Sequence, residues 1–504
     1  MDVSTTVTTA DVKSLSVDAL VIGVHEGGGE LTGAALLIDG ATGGAVAELI
    51  TNGDFTGKTG RAAVIYPRGS LGANRVVLVG LGPRERYGLE AVRRAAATAA
   101  SRAAELGATS LAVTLHEVPV TGKSPAEVAQ ATAEGALLAS YRFLASLRRA
   151  RKDKSVASLV LVARDPATVR EVEAGARRAA VIAGAVWAAR DLVNQPPNVA
   201  NPAYLAAHAR QLAARYDLAL HVGDKAWAAE QQMGAFLAVS KGSSNEPAFI
   251  VLEHNAGRTD LPTLVLVGKG VTFDTGGLSL KTRDGMIPMK GDMGGAAAVL
   301  GATQAVAGLG LPVHLVAICP CVENMPDGAA YRPSDVIVAS NGVSIEIHST
   351  DAEGRMVLAD ALVHASRYAP AAVVDIATLT GASVTALGSG VSSSLFASDE
   401  ELAAELVAAS EASGERVWRM PLFDEYRDTI DAKVAADLKN SGGAKGGVGT
   451  SAVFLQAFTD YPWAHVDMAG MELVDAPGKK SYLTQGATGY GVRLLVEYVA
   501  NRVS

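Results

Sequence analysis

The chain has 504 residues, 49% of them hydrophobic, and a formal net charge of −8 from 44 basic and 52 acidic residues. This length exceeds one ordinary domain and predicts two or three, each with enough apolar residues for a core. No apolar run reaches the roughly 18 residues that a membrane span needs, so no membrane partner is expected. The acidic balance does not favour an intrinsic nucleic-acid-binding role.

The first residues and the cysteines indicate the cellular compartment. The N-terminal stretch has no basic segment followed by an apolar core, which predicts no secretory signal. Only two cysteines occur, Cys319 and Cys321, and their C-P-C spacing fits neither a zinc knuckle nor a redox C-x-x-C motif. We interpret both as buried free thiols and expect a cytoplasmic location.

The first part of the chain alternates between strand and helix patterns. Short apolar runs predict strands at 20–24, 62–67, 75–82, 110–116 and 158–163. Alanine-rich amphipathic patterns predict helices at 89–106 and 125–149 between them. This alternation indicates an N-terminal α/β domain with a mostly parallel sheet, which we place at 1–165 and assign to assembly or structure.

A long helical pattern from about 167 to 193 ends before the prolines at 196 and 197, since proline stops a helix. We predict a linking helix at 166–198 and a second α/β domain, with a central mixed sheet, at 199–504. Strands are expected there at 249–254, 263–268, 313–320, 335–340, 343–348 and 372–379. The glycine-rich segment 441–451 lacks the ending of a phosphate loop, so we interpret it as a mobile loop beside the site.

Two stretches of this second domain bring charged residues together. In the run STDAEGRMVLAD, Asp351 and Glu353 are two residues apart, so their carboxylates point the same way in extended chain. Arg355 follows at the start of an apolar helical pattern. The stretch 267–293 adds further charged residues at loops after strands, where α/β sheets bind ligands. These are Lys269, Asp274, Lys281 and Asp292.

Four ionised carboxylates packed together would repel one another unless cations compensated for them. Two divalent metals carry the matching charge, which favours a two-metal site over a one-metal site. Oxygen ligands suit Mn²⁺ or Mg²⁺, and Zn²⁺ also accepts them. The alternative from composition alone is an ion-pair network of the four acids with Lys269, Lys281 and Arg355.

The motifs around these residues are long and specific. The segments VGKG, FDTGG and TDAEGR, followed through ENMPDG, PWAHVDMAG and GATGYGVRLL, resemble those of the leucyl aminopeptidase family of cytosolic metallopeptidases. This chain departs from the family pattern at Ser349, usually Asn, and at Met356, usually Leu.

The resemblance implies a ligand set for two metals in each subunit, most simply Mn²⁺. Asp274 and Glu353 are expected to contact both ions, Asp292 and Lys269 to serve the tighter site, and Asp351 the more exchangeable one. Lys269 can ligate only as a neutral amine, so its pKa must fall by several units from about 10.4.

The resemblance also implies an activity and an assembly. We expect a homohexameric aminopeptidase that hydrolyses the N-terminal bond of peptides, preferring leucine and other apolar residues, with a hydroxide bridging the two metals. Lys281 is expected to stabilise the oxyanion, and Arg355 to hold a bicarbonate that relays the proton. By the same resemblance, a pocket for the side chain of the peptide's N-terminal residue is expected at Met289, Thr378 and Leu379.

Two other functions stay open from the sequence. Carboxylate clusters also serve two-metal phosphatases and nucleases. Some relatives of this family act as DNA-bound architectural hexamers, although the acidic net charge disfavours duplex binding here.

Overall fold

The computed structural model describes residues 3–27, 30–143, 156–475 and 482–503. The chain divides into two compact units. Unit 1 comprises residues 1–187 and 475–485, and unit 2 comprises residues 188–474 and 486–504. Each unit is described by itself.

Unit 1 contains strands and helices in alternation. In chain order they are β1 Ser4–Thr8, β2 Ala19–His25, α1 Gly33–Ala41, α2 Ala45–Thr51, β3 Ala62–Ile65, β4 Val76–Gly82, α3 Leu89–Glu105, β5 Ser110–Val113, α4 Pro125–Ser140 and β6 Ser158–Val162. The helix α5 (Val169–Asn194) crosses the division between the units. The linking-helix bounds at 166 and 198 therefore stay a prediction, and residues 144–149 of the second predicted helix lie outside the described residues.

The sheet of unit 1 has the strand order β1-β6-β5-β2-β4-β3. Its pairs are parallel except β3 with β4, which confirms the predicted mostly parallel sheet. Strand β4 is buried along its whole length, as expected of an apolar run covered on both faces. Helices α3 and α4 pack closely because Gly135 has no side chain: a Cβ there would lie 2.1 Å from the Arg93 carbonyl oxygen.

Unit 2 contains the remaining elements. They are α6 Pro202–Tyr216, β7 Ala219–Gly223, α7 Lys225–Glu230, α8 Gly234–Ser240, β8 Ala248–His254, β9 Thr263–Gly268, β10 Gly270–Asp274, α9 Arg283–Met286, α10 Gly294–Leu309, β11 His314–Asn324, β12 Val336–Val338, β13 Ser344–Glu346, α11 Glu353–Ala365, β14 Ala372–Ala377, α12 Gly381–Leu387, β15 Ser393–Ala397, α13 Glu400–Ser413, β16 Val417–Arg419, α14 Asp424–Ile430, β17 Leu438–Lys439, α15 Gly447–Gln456, β18 Trp463–Asp467, β19 Leu473–Val474, β20 Gly486–Ala487 and α16 Val492–Arg502.

The central sheet of unit 2 runs β16-β15-β18-β14-β9-β11-β8-β7, with β10 pairing β11 beside β9. Its inner pairs are parallel, whereas β8 and β15 pair antiparallel with β11 and β18, which confirms the predicted mixed sheet. Both cysteines lie buried in β11 as free thiols, as predicted. Among the described residues no single helix is long and apolar enough to cross a membrane, although the bent pair α1 and α2 passes by length and composition.

The strand before Asp351 is β13, which belongs to a small three-stranded sheet, β12-β13-β17, and not to the central sheet. One local prediction differs from the structure. The segment 441–451 is not wholly a loop, because α15 begins at Gly447. Burial of apolar residues further along this helix, such as Phe454 and Leu455, stabilises a helical start that its glycines disfavour.

Candidate metal centre

The first part of the site forms around Lys269, between β9 and β10. Its buried Nζ lies 2.8 Å from Asp292 Oδ1 and 2.9 Å from Glu353 Oε1, and it donates to the Thr378 carbonyl oxygen at 2.9 Å. Gly354 makes this approach possible, since a Cβ there would lie 2.6 Å from Lys269 Nζ. Glu353 begins α11, where the helix dipole favours a negative charge.

The second part of the site forms where β10 ends. Lys281 Nζ lies 2.9 Å from Asp274 Oδ2 and 2.5 Å from Asp351 Oδ1. The turn after β10 comes close to the second acid because Gly276, at φ 84°, carries no Cβ; one would lie 2.9 Å from Asp351 Oδ1. Carboxylate oxygens of Asp274, Asp351 and Glu353 all lie within 4.8 Å of one another. The predicted ligands are therefore brought together.

The cluster carries more negative than positive charge. Its four carboxylates contact two lysines, which leaves two negative charges uncompensated when all are ionised. Burial raises the pKa of Asp274 to about 6 and raises that of Asp292 well above its usual range. Asp292 Oδ2 is buried and has no hydrogen-bond partner among the described residues. Such a donor set fits divalent cations.

The two lysines are held as cations by these acids. Burial works to lower the pKa of Lys269, but Asp292 and Glu353 outweigh it and the pKa is raised. The pKa of Lys281 is likewise raised, since Asp274 and Glu353 outweigh burial. Two of the three cations of the alternative ion-pair network therefore contact the acids within the protein itself.

The third cation, Arg355, makes different contacts. Its Nη1 donates to the Asn440 carbonyl oxygen and its Nη2 to Ser451 Oγ, both at 2.6 Å. Its buried Nε has no partner among the described residues. Burial lowers the pKa of Arg355 to about 10. An anion placed against Nε would satisfy this donor and favour the charged guanidinium.

The three predicted pocket residues differ in how they contact the acid cluster. Thr378 follows β14, and its Oγ1 donates to Asp292 Oδ1 at 2.8 Å. This hydrogen bond connects Thr378 directly to the acid cluster. Leu379 is partly buried and its amide donates to Asp467 Oδ1 at 3.1 Å. Met289 lies on the short helical turn before Asp292. The backbone amide of Asp292 donates to the Met289 carbonyl oxygen at 3.3 Å.

Several contacts of the site were not predicted from the sequence. Asn324 Nδ2 donates to Asp274 Oδ1, and Asn440 and Ser451 hold Arg355. The motif ENMPDG contains Asn324, and the segment 441–451 ends at Ser451, so both stretches stand out in the sequence, but neither residue has a predicted role. The sequence does not show the strand register and helix packing that bring these residues to their partners.

An α/β unit with surplus carboxylates and two lysines near the ends of central strands is a class of site that fits divalent cations. Residues 187–496 match the profile of the cytosol aminopeptidase family, catalytic domain, and residues 21–149 match that of its N-terminal domain. The chain belongs to the cytosol aminopeptidase family. It is a metal-dependent aminopeptidase, which confirms the resemblance seen in the sequence.

Individual relatives and solved structures agree over the full length. The chain is 46% identical to a probable cytosol aminopeptidase of Roseiflexus castenholzii, covering 98% of each chain, and 44% identical to one of Syntrophotalea carbinolica, covering 96% and 97%. A mutant of tomato leucine aminopeptidase superposes with a TM-score of 0.88 at 34% identity, covering 99% and 97%. The bottromycin maturation enzyme BotP in complex with Mn gives 0.84 at 36% identity, covering 97% and 100%.

Proposed function

We propose that this aminopeptidase releases the N-terminal residue of peptides, with a preference for leucine and other apolar residues. It acts in the cytoplasm as a homohexamer, with two divalent ions in each subunit and bicarbonate at Arg355. The assembly, the location and the preference rest on the family to which the chain belongs. The observation that carries the proposal is the surplus of negative charge in a cluster of four acids, three of them buried and Asp351 more exposed, which cations must compensate.

The proposed ligands are Lys269, Asp274, Asp292, Asp351 and Glu353. When bound, divalent ions supply Lewis acidity toward the scissile carbonyl and lower the pKa of a water molecule. Asp292 supports this placement through its unpartnered buried Oδ2. Lys269 would ligate through its neutral amine, so the proton that its neighbouring acids now stabilise must leave Nζ. Mn²⁺ is the first choice, since the related enzyme BotP is described with Mn.

Lys281 is proposed to keep its charge and to donate to the oxyanion of the tetrahedral intermediate. Its side chain is less buried than that of Lys269, 18% against 3% exposed, which supports a role toward the substrate. If Asp274 and Asp351 held a cation, the Lys281 ammonium group would be released from its two carboxylate partners. A donor aimed at developing charge is worth about 3–4 kcal/mol in the transition state.

Arg355 is proposed to hold bicarbonate, which would accept a proton from the attacking water. The guanidinium fork suits a planar anion, and two of its nitrogens are already oriented by Asn440 and Ser451. The unpartnered Nε supports the placement of an anion there.

The first side chain of the peptide is proposed to lie against Met289, Thr378 and Leu379. Thr378 supports this because its hydroxyl group and its carbonyl oxygen contact Asp292 and Lys269, two of the proposed metal ligands. An apolar side chain fits such a wall better than a charged one.

The test compares a free with a blocked amine. The purified chain is depleted with a chelator, reloaded with Mn²⁺, Zn²⁺ or Mg²⁺, and assayed on leucine p-nitroanilide, a panel of aminoacyl amides and N-acetyl-leucine p-nitroanilide. We expect metal-dependent turnover of leucine p-nitroanilide, the highest rates for apolar residues, and none for the acetylated substrate. Equal turnover of both anilides contradicts the proposal, and turnover of p-nitrophenyl phosphate alone supports the phosphatase alternative.

A further inference from the structure

Asn324 lies at the end of β11 and contacts both Asp274 and the segment that precedes Asp351. Its side chain is fully buried, and its Nδ2 donates to Asp274 Oδ1 at 2.8 Å and to the Thr350 carbonyl oxygen at 2.9 Å. Its backbone carbonyl oxygen accepts from Thr275 N at 3.0 Å and from Thr275 Oγ1 at 2.9 Å. One residue thereby connects the turn after β10 to the segment that carries Asp351 and Glu353.

The chemistry of the contacts fixes the orientation of this amide. Both partners of Nδ2 are acceptors, so a flipped amide would place an oxygen against a carboxylate and a carbonyl. The parallel pairing of β10 with β11 places Asp274 opposite Asn324. The contact is therefore set by the sheet rather than by a mobile loop.

The same contact determines which oxygen of Asp274 can meet a cation. Asp274 Oδ1 accepts from Gly276 N at 2.8 Å as well as from Asn324 Nδ2, so two donors occupy it. Its Oδ2 is the oxygen that faces Lys281, where the acids of the cluster converge. Without the amide, only the Gly276 N–H would hold Oδ1, and the carboxylate would be less firmly fixed in this orientation.

Tyr331 holds the same segment from a second direction. It is 2% exposed, and its Oη donates to the Thr350 carbonyl oxygen at 2.9 Å. Two buried donors therefore converge on the carbonyl group that precedes Asp351.

We infer that Asn324 is the positioning residue of the metal centre: its amide selects Oδ2 of Asp274 for the cation and sets the spacing between Asp274 and the 350–353 segment. Tyr331 supports it at Thr350. The inference rests on the proposed function, since it assumes that Asp274, Asp351 and Glu353 hold divalent ions. Partners of metal ligands that act in this way typically change metal affinity by about 10–100-fold.

The test measures Mn²⁺ affinity, not activity. The full-length chain is depleted with a chelator and titrated with Mn²⁺, and the free ion is followed by electron paramagnetic resonance. We expect Asn324→Ala to weaken binding about 10–100-fold and to broaden the spectrum of the bound ion. Tyr331→Phe, which removes one hydroxyl group, should weaken it less, by under about tenfold.

The matched control is Asn255→Ala, since Asn255 Nδ2 also donates to two carbonyl oxygens, those of Leu311 and Val313, at 3.3 and 3.0 Å near the other end of β11. Its positive φ of 56° means that alanine adds strain, so stability should fall while Mn²⁺ affinity stays within twofold of wild type. An equal loss of affinity in the Asn255 and Asn324 variants, or wild-type affinity in Asn324→Ala, overturns the inference.

Tyr331→Phe decides the question if Asn324→Ala does not fold: unchanged affinity and spectrum then overturn the inference, and a measurable loss supports it. The wild-type chain separates this inference from the proposed function. If it binds Mn²⁺ but releases no amino acid from peptides, the proposed function fails while the Asn324 comparison still stands. If it is an active aminopeptidase and Asn324→Ala binds Mn²⁺ normally, only the inference fails.

Discussion

The buried charges of the two units differ in a way that separates structure from function. In unit 1, Arg93 and Glu134 pair at 2.7 Å, each about 2% exposed, and Gln130 donates to the second carboxylate oxygen. The partly exposed Glu90 lies 3.8 Å from Arg93 and 2.8 Å from Arg94, so two acids meet two arginines. In unit 2, four carboxylates contact only two lysines. Acids and bases in equal number need no further charge, whereas a surplus of acids, three of the four buried, calls for cations from outside the chain.

The largest effect is expected from a Glu→Gln substitution, made once in the acid cluster of unit 2 and once in the buried ion pair of unit 1. Glu353→Gln removes a proposed ligand shared by two ions, so kcat/KM should fall more than about 1000-fold, since even outer-shell partners cost about 10–100-fold. Metal content per chain should fall with it, while the far-ultraviolet circular dichroism stays that of the wild type. Full turnover by this variant would contradict the assignment of the ligands.

Glu134→Gln is the matched change in unit 1. It breaks a buried pair and should cost about 3–5 kcal/mol of stability. Metal content and the activity of the folded fraction should stay unchanged. Loss of metal from this variant would show that the contrast between the two sites is wrong.

The next effect separates holding a metal from assisting the reaction. Lys281→Ala should lower kcat about 100–1000-fold, because it removes a donor to the oxyanion. Metal content should stay the same, since Lys281 is not a proposed ligand and its removal reduces competition for Asp274 and Asp351. Lys281→Arg, which keeps the charge, should recover part of the rate. An equal loss of metal and turnover would make Lys281 a structural residue.

The sequence predicts those parts of this site that are local in the chain. Asp351, Glu353 and Arg355 are found from one short motif, and the strands that precede Lys269 and Thr378 from apolar runs of ordinary length. The contacts that orient these groups depend on residues far away: Arg355 meets Asn440 and Ser451, 85 and 96 positions later. Strand register and helix packing decide such pairs, and neither leaves a periodic signal in the chain.

The strand assignments show the same limit. Buried strands such as β4 and β9 are predicted from their apolar runs, since both faces are covered. The sheet to which β13 belongs is not predicted from the sequence. Its three residues pair with β12 and β17, and β17 lies about 90 positions away. The helical start at Gly447 is also not predicted, since tertiary burial overrides the low helix propensity of glycine.

Two buried histidines, one in each unit, should make the stability of the protein depend on pH in opposite directions. Burial lowers the pKa of His116 in unit 1 to about 4, and the charge of Arg164 acts in the same direction. A folded pKa below the unfolded value of about 6.5 means that this stability is present above pH 6.5 and is lost as the pH falls toward 4. The loss is about 3 kcal/mol when complete. His116→Leu should therefore reduce the acid sensitivity of unfolding in urea between pH 7 and pH 4.5.

His465 in unit 2 should show the opposite sign. Burial works to lower its pKa, but Asp375, 2.5 Å from Nδ1, outweighs burial and the pKa is raised. Its contribution is present below the unfolded pKa and is lost as the pH rises through the folded value. The stability gap between wild type and His465→Leu should therefore narrow with rising pH. A gap that widens would contradict the contrast.

The smallest effect tests how Arg355 is oriented. Ser451→Ala removes the hydroxyl oxygen that accepts from Nη2 at 2.6 Å, a hydrogen bond to a charged group worth about 1.5–3 kcal/mol. We expect kcat to fall about tenfold and the half-saturating bicarbonate concentration to rise by a similar factor. Metal content should stay unchanged, because Ser451 contacts Arg355 and not a proposed ligand.

The control for this prediction is the adjacent residue of α15. Thr450→Val removes a hydroxyl group that donates to the Gly447 carbonyl oxygen at 3.3 Å and leaves Arg355 untouched. Ser451 Oγ donates to that same carbonyl oxygen at 2.6 Å, so both variants lose a contact within the helix. Only Ser451→Ala also loses the contact with the guanidinium. A shift in bicarbonate dependence seen equally in both variants would therefore come from the helix, and Arg355 would need no orientation by Ser451.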